Sequence, residues 1–263
     1  VDEANSNSLI NNVVVSLFID SNDELWVGTF TGGLNRFNGK TFKRYQYSPN
    51  GNNGLTSNNI WSINEDDQQN LWIGTLGGGI VIFDRNNEIF KPVPNKGNVK
   101  LPTEYVNQIC KLDNGNMFIA TANGVTFYDV KEQRYKNYPL VTRSGAPPLN
   151  SKNVNGVFED SRGLLWIATR EGLIMFDPNA SFSKHFTSED GLPEDVFNCI
   201  QEDEFQSIWV SKSTGLSQII VSKTAPDKEY SFQIYDFTEE DGLQDKEFNP
   251  NASYKTTNNE LIF

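Results

Sequence analysis

Leu25-Trp26-Val27-Gly28-Thr29 recurs as Leu71-Trp72-Ile73-Gly74-Thr75, as Met117-Phe118-Ile119-Ala120-Thr121 and as Leu165-Trp166-Ile167-Ala168-Thr169. A weaker copy stands at Ile208-Trp209-Val210-Ser211-Lys212. The anchor aromatics at 26, 72, 118, 166 and 209 are spaced by 46, 46, 48 and 43 residues. Working outward, Asp20, Asp66, Asp160 and Asp203 precede their anchors by six residues; the third copy has Leu112 there, with Asp113 adjacent. Apolar pairs lie twelve and nine residues before each anchor: Val14/Leu17, Ile60/Ile63, Val106/Ile109, Val154/Val157 and Phe197/Ile200. Gly33-Leu34, Gly79-Ile80, Gly124-Val125, Gly172-Leu173 and Gly215-Leu216 follow at six or seven residues. Phe37, Phe83, Tyr128, Phe176 and Ile219 follow at ten or eleven.

Each unit reads as four short strands. In the first copy these are a, near 13–19, b at 25–29, c at 34–37 and d at 41–45. An Asp-led turn such as Asp160-Ser161-Arg162-Gly163 joins a to b and supplies a position with positive φ; a glycine does the same between b and c. No stretch has sustained helical periodicity. A period in the forties carrying four strands predicts an all-β fold, a β-propeller of four-stranded antiparallel blades. One blade cannot bury its own faces, so blades stack. Trp26, Trp72, Trp166 and Trp209 are expected to be largely buried between blades. The small residue two places on (Gly28, Gly74, Ala120, Ala168, Ser211) lets the next sheet approach. The repeats fall at about 9–54, 55–100, 101–148, 149–191 and 192–241. A truncated copy at 242–263 ends where Glu260-Leu261-Ile262-Phe263 aligns with Glu24-Leu25-Trp26-Val27. The whole of 1–263 reads as an incomplete propeller of about five and a half blades, a fragment of something larger.

Composition narrows the function. A formal net charge of −12 repels a phosphate backbone, so no nucleic acid partner is expected. No apolar run reaches the ~18 residues of a membrane span. Residues 1–7 are polar and form no signal peptide, as in a cytosolic protein or a mature or excised piece. Cys110 and Cys199 make no CxxC, fall at different register positions and read as two buried thiols without a disulfide. A single histidine, His185, disfavours a His-based triad or a His-rich metal site and reads as surface or packing. Asp20-Ser21-Asn22-Asp23-Glu24 lacks the glycine and distal Glu of a calcium loop. Gly77-Gly78-Gly79 opens no helix and cradles no phosphate. Neither a catalytic residue, a metal nor a cofactor is expected.

The string Asn153-Val154…Val157…Glu159-Asp160-Ser161-Arg162-Gly163-Leu164-Leu165-Trp166-Ile167-Ala168-Thr169…Gly172-Leu173…Phe176-Asp177, with Leu149-Asn150-Ser151 before it, closely resembles the two-component regulator propeller repeat. The resemblance runs from about Leu9 onward. It implies the periplasmic sensor region of a Bacteroidetes-type hybrid two-component system, anchored in the inner membrane, that recognises an oligosaccharide and signals to a histidine kinase. Its implied partners are the remaining blades, a following immunoglobulin-like domain and a second sensor chain in a homodimer. Asp241-Gly242-Leu243-Gln244…Glu247-Phe248-Asn249…Asn251-Ala252-Ser253-Tyr254 resembles the family's last repeat. Phe118 for Trp, and Ser211-Lys212 for Gly-Thr, depart from the consensus without moving the register.

Ligand residues should break the repeat. The b–c turns and d–a connections share one face of a propeller, and there Phe30, Tyr47, Trp61, Arg170 and Glu171 stand out as candidates for binding a sugar by stacking and charge-assisted hydrogen bonds. The long connection from Tyr47 to Asn53 lies on that face. Two other readings stand beside a sensor. A propeller lyase or glycosidase would need repeat-breaking Asp, Glu, Tyr or Arg at the axis, and only Arg170-Glu171 begins to qualify. A protein-interaction scaffold would show a flat apolar upper face.

Overall fold

In a computed structural model, which describes residues 7–47, 54–136, 153–180, 182–186, 188–192, 196–223, 230–244 and 247–263, each sequence repeat becomes one antiparallel sheet. The first holds β1 (Val14–Ile19), β2 (Leu25–Thr29), β3 (Gly33–Phe37) and β4 (Phe42–Tyr45). The second holds β5 (Ile60–Glu65), β6 (Leu71–Thr75), β7 (Ile80–Asp84) and β8 (Ile89–Pro92). The third holds β9 (Val106–Lys111), β10 (Met117–Thr121), β11 (Gly124–Asp129) and β12 (Arg134–Lys136). The fourth holds β13 (Val154–Glu159), β14 (Leu165–Thr169), β15 (Gly172–Asp177) and β16 (Phe182–Phe186). The fifth holds β17 (Phe197–Glu202), β18 (Ile208–Lys212), β19 (Gly215–Lys223) and β20 (Tyr230–Phe237). Strands follow one another in chain order across every sheet, and a two-stranded sheet of β21 (Tyr254–Lys255) and β22 (Leu261–Ile262) comes last. Helical structure among the described residues is confined to two 3-10 turns, Ser188–Asp190 and Glu239–Asp241. The fold is all-β, built of propeller blades. The chain divides into two compact units, residues 1–138 with three blades and residues 139–263 with the rest.

Within each unit the anchor tryptophan of one blade packs on the first strand of the next. Trp26 is fully buried with Ile60, Ile63 and Phe83. Trp72 is buried with Val106, Ile109 and Met117. Trp166 is buried with Phe197, Ile200 and Ile208. The small residue beside the anchor is required by this approach. A Cβ on Gly28 would stand 2.7 Å from Ile60 Cγ2, and one on Gly74 would stand 2.7 Å from Val106 Cγ1.

The turn aspartates explain the rest of the motif. Each caps its own turn and its own tryptophan. Asp20 Oδ1 accepts the backbone N–H groups of Asn22 and Glu24, and its Oδ2 accepts the Trp26 indole N–H at 2.8 Å. The same bonds recur at Asp66–Trp72 (3.0 Å), Asp160–Trp166 (3.0 Å) and Asp203–Trp209 (2.8 Å). Burial alone would raise the Asp20 carboxyl, but the Trp26 indole, the Glu24 and Asn22 amides and Arg85 outweigh it and hold the pKa below its ordinary value. The third blade has exchanged both partners: Leu112 is buried where Asp stands elsewhere, and Phe118 offers no N–H. The turn amide of Asn116 is taken instead by Asn114 Oδ1 at 2.9 Å. The predicted left-handed turn position is filled by Gly115 (φ 81°) and Gly163 (φ 77°), but also by Asp23, Gln69 and Gln206.

A second pairing ties neighbouring blades together through the residue after the turn aspartate. Ser21 bonds Glu65 at the end of β5 through its backbone N–H (2.8 Å) and its hydroxyl (2.7 Å). Ser161 does the same with Glu202 at the end of β17. Between the second and third blades the chemistry is switched, and Asp67 pairs with Lys111 Nζ at 2.9 Å.

Two expectations are corrected. Trp209 is half-buried, not largely buried. Its ring stacks on Phe237 of its own blade at 5.3 Å, and the next sheet is two-stranded, its β21 packing on β17. Cys110 is also half-buried, because it lies one residue from the end of β9, an edge strand; Cys199 is buried, and no disulfide joins the two. His185 is exposed on the outer strand β16. Lys212, which breaks the consensus, is 2% exposed and reaches Asp236 at 3.0 Å. In the other four blades the equivalent Thr hydroxyl bonds a glycine carbonyl, as in Thr29 to Gly33 at 2.9 Å.

Candidate functional site

Among the described residues, the start of each b–c turn meets the residue just before strand a on one face of the blade, here called the upper face. One backbone bond defines its rim in all five blades. The N–H after strand b donates to the carbonyl just before strand a: Phe30 to Val13, Leu76 to Asn59, Ala122 to Tyr105, Arg170 to Asn153 and Ser213 to Val196. This bond is common to all five blades, while the turns that follow it differ in length and side chains.

Just below this bond, the first strand pair of every blade carries a register shift: between Val14 and Ser16, Ile60 and Ser62, Ala120 and Thr121, Val154 and Gly156, and Phe197 and Ile200. A bulge leaves its extra residue out of the ladder and re-aims its side chain. In the second blade that residue is Trp61. Its ring meets Phe30 of the first blade edge-on, with centroids 6.5 Å apart and planes at 76°.

In the first unit, then, the structure brings Phe30 and Trp61 together. Tyr47 lies on the same face, 48% exposed, with its backbone N–H bonded to Asn58 Oδ1 at 2.7 Å. The neighbouring Asn59 Oδ1 accepts the Thr31 N–H at 3.0 Å, and the Asn58 carbonyl accepts the Gly33 N–H at 2.9 Å. The pair Asn58-Asn59 thus fixes both the turn that carries Phe30 and the segment that carries Tyr47. Residues 48–53 of the long connection lie outside the described residues. Arg170 and Glu171 are adjacent and exposed on the b–c turn of the fourth blade, in the second unit, with the Glu171 N–H on Thr169 Oγ1 at 3.0 Å.

Two rim residues were missed. Tyr105 is 54% exposed and Val13 is likewise 54% exposed. Both sit thirteen residues before an anchor, where the second and fourth blades have Asn59 and Asn153. That substitution pattern was the available signal. Four large exposed apolar side chains (Val13, Phe30, Tyr47, Tyr105) therefore share the upper face of the first unit. The turn aspartates are at the other ends of the strands and are consumed by capping. Among the described residues, no three His, Cys, Asp or Glu side chains group as a metal site. No helix there is long and apolar enough to cross a membrane.

Fold and repeat define a class, the β-propellers of four-stranded blades, and comparison with known proteins refines it. Residues 8–31, 54–77 and 148–171 match the family described as two component regulator propeller. The chain carries the repeats of that family. It is similar to the extracellular domain of a hybrid two component system from B. thetaiotaomicron, at 25% identity and a TM-score of 0.74, over 96% of this chain and 32% of that one. The extracellular domain of a one component system from the same organism matches at 20% identity and a TM-score of 0.68, over 94% of this chain and 32% of that one. A virginiamycin B lyase from Staphylococcus aureus shares the fold at 12% identity and a TM-score of 0.62, over 97% of this chain and 86% of that one. No curated protein matches the chain. The chain spans about a third of the length of the two extracellular domains, 32% of each.

Proposed function

We propose that this chain is part of the periplasmic sensor region of a hybrid two-component system, that it recognises an oligosaccharide, and that it is not an enzyme. One observation carries the reading: 96% of the chain follows the extracellular domain of a hybrid two component system, and three of its segments match the two component regulator propeller family. The rim adds chemistry. Aromatic side chains on a fixed backbone offer stacking surfaces for the C–H faces of sugar rings, and Asn59 and Asn153 offer amides for hydroxyls. Arg170 and Glu171 would supply charge-assisted bonds in the second unit. The repeating turn aspartates are taken up by tryptophan indoles and turn amides, which supports a structural role for them.

The remaining blades, an immunoglobulin-like domain and a second sensor chain complete the proposed assembly. A ligand preferring one arrangement of two chains shifts their population toward it and so passes the signal to a histidine kinase. A thermal-shift screen against glycan fragments tests recognition, since a ligand that binds only the folded state raises the melting temperature. A rise with at least one oligosaccharide is expected. A flat response to every glycan, with a rise on adding a protein partner, would favour the scaffold reading that the apolar rim also allows.

A further inference from the structure

Resting on the oligosaccharide reading, we infer that the upper rim of the first unit selects a neutral glycan and rejects uronate-rich or sulfated ones. The six residues joined by the rim bond there are Val13, Phe30, Asn59, Leu76, Tyr105 and Ala122. None carries a charge. The bulge residue of the second blade is Trp61, a further uncharged group whose ring meets Phe30 edge-on. Two exposed charges of opposite sign flank this rim on the connection into the third blade: Lys100, beside the Leu101 that lies against Gly79, and Glu104, which precedes Tyr105 and whose carbonyl is tied to the Gly77 and Gly79 amides at 3.0 and 2.9 Å. In the second unit the rim does carry a cation, Arg170, beside the Glu171 carboxylate.

Binding a carboxylated or sulfated sugar needs guanidinium or ammonium donors against the anion, in the geometry that Arg supplies best. An anion laid on aromatic and aliphatic side chains loses hydration without gaining such a partner. The protein's net charge of −12 adds a long-range penalty on the approach of any polyanion. A neutral sugar has the opposite fit. Its C–H face lies on Phe30, Trp61 or Tyr105, and its hydroxyls find the Asn59 amide and the rim backbone. Selectivity of this kind comes from what the rim leaves out as much as from what it offers.

Isothermal titration of the whole chain with two probe sets tests this. One set is neutral, oligomers of xylose, glucose and mannose; the other is anionic, oligomers of galacturonate and of heparin. The inference expects binding within the neutral set only, with an affinity that barely changes as salt is raised. Phe30→Ala and Tyr105→Ala, both at exposed positions, should each weaken it about twofold to tenfold, the range typical of one aromatic contact. Trp61→Phe, which keeps a ring at the bulge, should weaken it less than Phe30→Ala. Binding of an anionic probe, falling steeply with salt, would overturn the neutral class while leaving the sensor reading in place. Neutral binding indifferent to Phe30→Ala and Tyr105→Ala would remove it from this rim. Binding by neither set would overturn the oligosaccharide reading itself and this inference with it.

Discussion

Replacing Asp66 and Trp72 singly and together measures the interaction that defines each blade. Asp66 accepts the Trp72 indole at 3.0 Å and the Gln68 and Asn70 amides at 2.9 Å each. Asp66→Leu therefore strands an indole N–H and two turn amides. A buried polar group left without a partner costs about 1–3 kcal/mol, so the loss should be about 3–5 kcal/mol, softened where water reaches the turn. Trp72→Phe keeps most of the ring but takes a hydrogen bond from a buried carboxylate, worth about 1.5–3 kcal/mol, and adds a small packing loss. The third blade shows the compatible combination, Leu112, Asn114 and Phe118. Asp66→Leu with Gln68→Asn and Trp72→Phe copies it into the second blade. Because Asp66 and Trp72 lose the same bond, the double variant should be better than the sum of the singles by about 1.5–3 kcal/mol, and Gln68→Asn should recover more. Urea unfolding of the whole chain reads these values. A coupling energy below about 0.5 kcal/mol would refute the reasoning.

Truncating Trp72 to Ala should cost about 3–5 kcal/mol in the same assay, and Trp209→Ala about half of that, because Trp209 is half-buried. Gly74→Ala should destabilise by about 1–3 kcal/mol, since its Cβ would press on the Val106 methyl; a neutral result would mean that the second and third blades pack more loosely than described. A carboxyl whose folded pKa is depressed stabilises the fold above its unfolded pKa. Asp20 therefore contributes at neutral pH, and its contribution fades as pH falls below about 4, so Asp20→Asn should flatten the acid limb of the stability–pH curve. Thiol titration should find both cysteines reactive in unfolded, unreduced protein. In the native state Cys199, whose thiol burial pushes up, should react more slowly than Cys110.

Much of the fold was legible because a blade is a local structure repeated five times. The spacing of Trp26, Trp72, Phe118, Trp166 and Trp209 places every second strand, and the glycines before Leu34, Ile80, Val125, Leu173 and Leu216 place every third. The turn aspartates could be assigned to structure because they kept the register, but their indole partner could not be seen without coordinates. Two features escaped for a physical reason: both depend on contacts between blades. The Ser21–Glu65 and Asp67–Lys111 pairs join residues 44 positions apart, and their chemistry changes from seam to seam. The fifth blade's outer hairpin also departs from the pattern. Its β19 runs nine residues and β20 eight, long enough for Tyr230 to bond Asp177 at 2.6 Å and for Phe232 to meet Phe186 at 4.9 Å in the fourth blade. Of the candidate site, Phe30 and Trp61 could be singled out in the sequence because they break the repeat. Tyr105 was passed over because an aromatic next to an apolar strand reads as core until the rim bond shows it at the edge.

On the proposed sensor reading, the chain recognises a glycan and does not transform it. A glycan that raises the melting temperature should be incubated at length with the protein and then recovered and analysed by chromatography and mass spectrometry. All of it should return unchanged, with binding weakened by rim variants such as Phe30→Ala. Shortened or unsaturated products, lost on Glu171→Gln, would contradict that reading and identify the protein as a propeller enzyme.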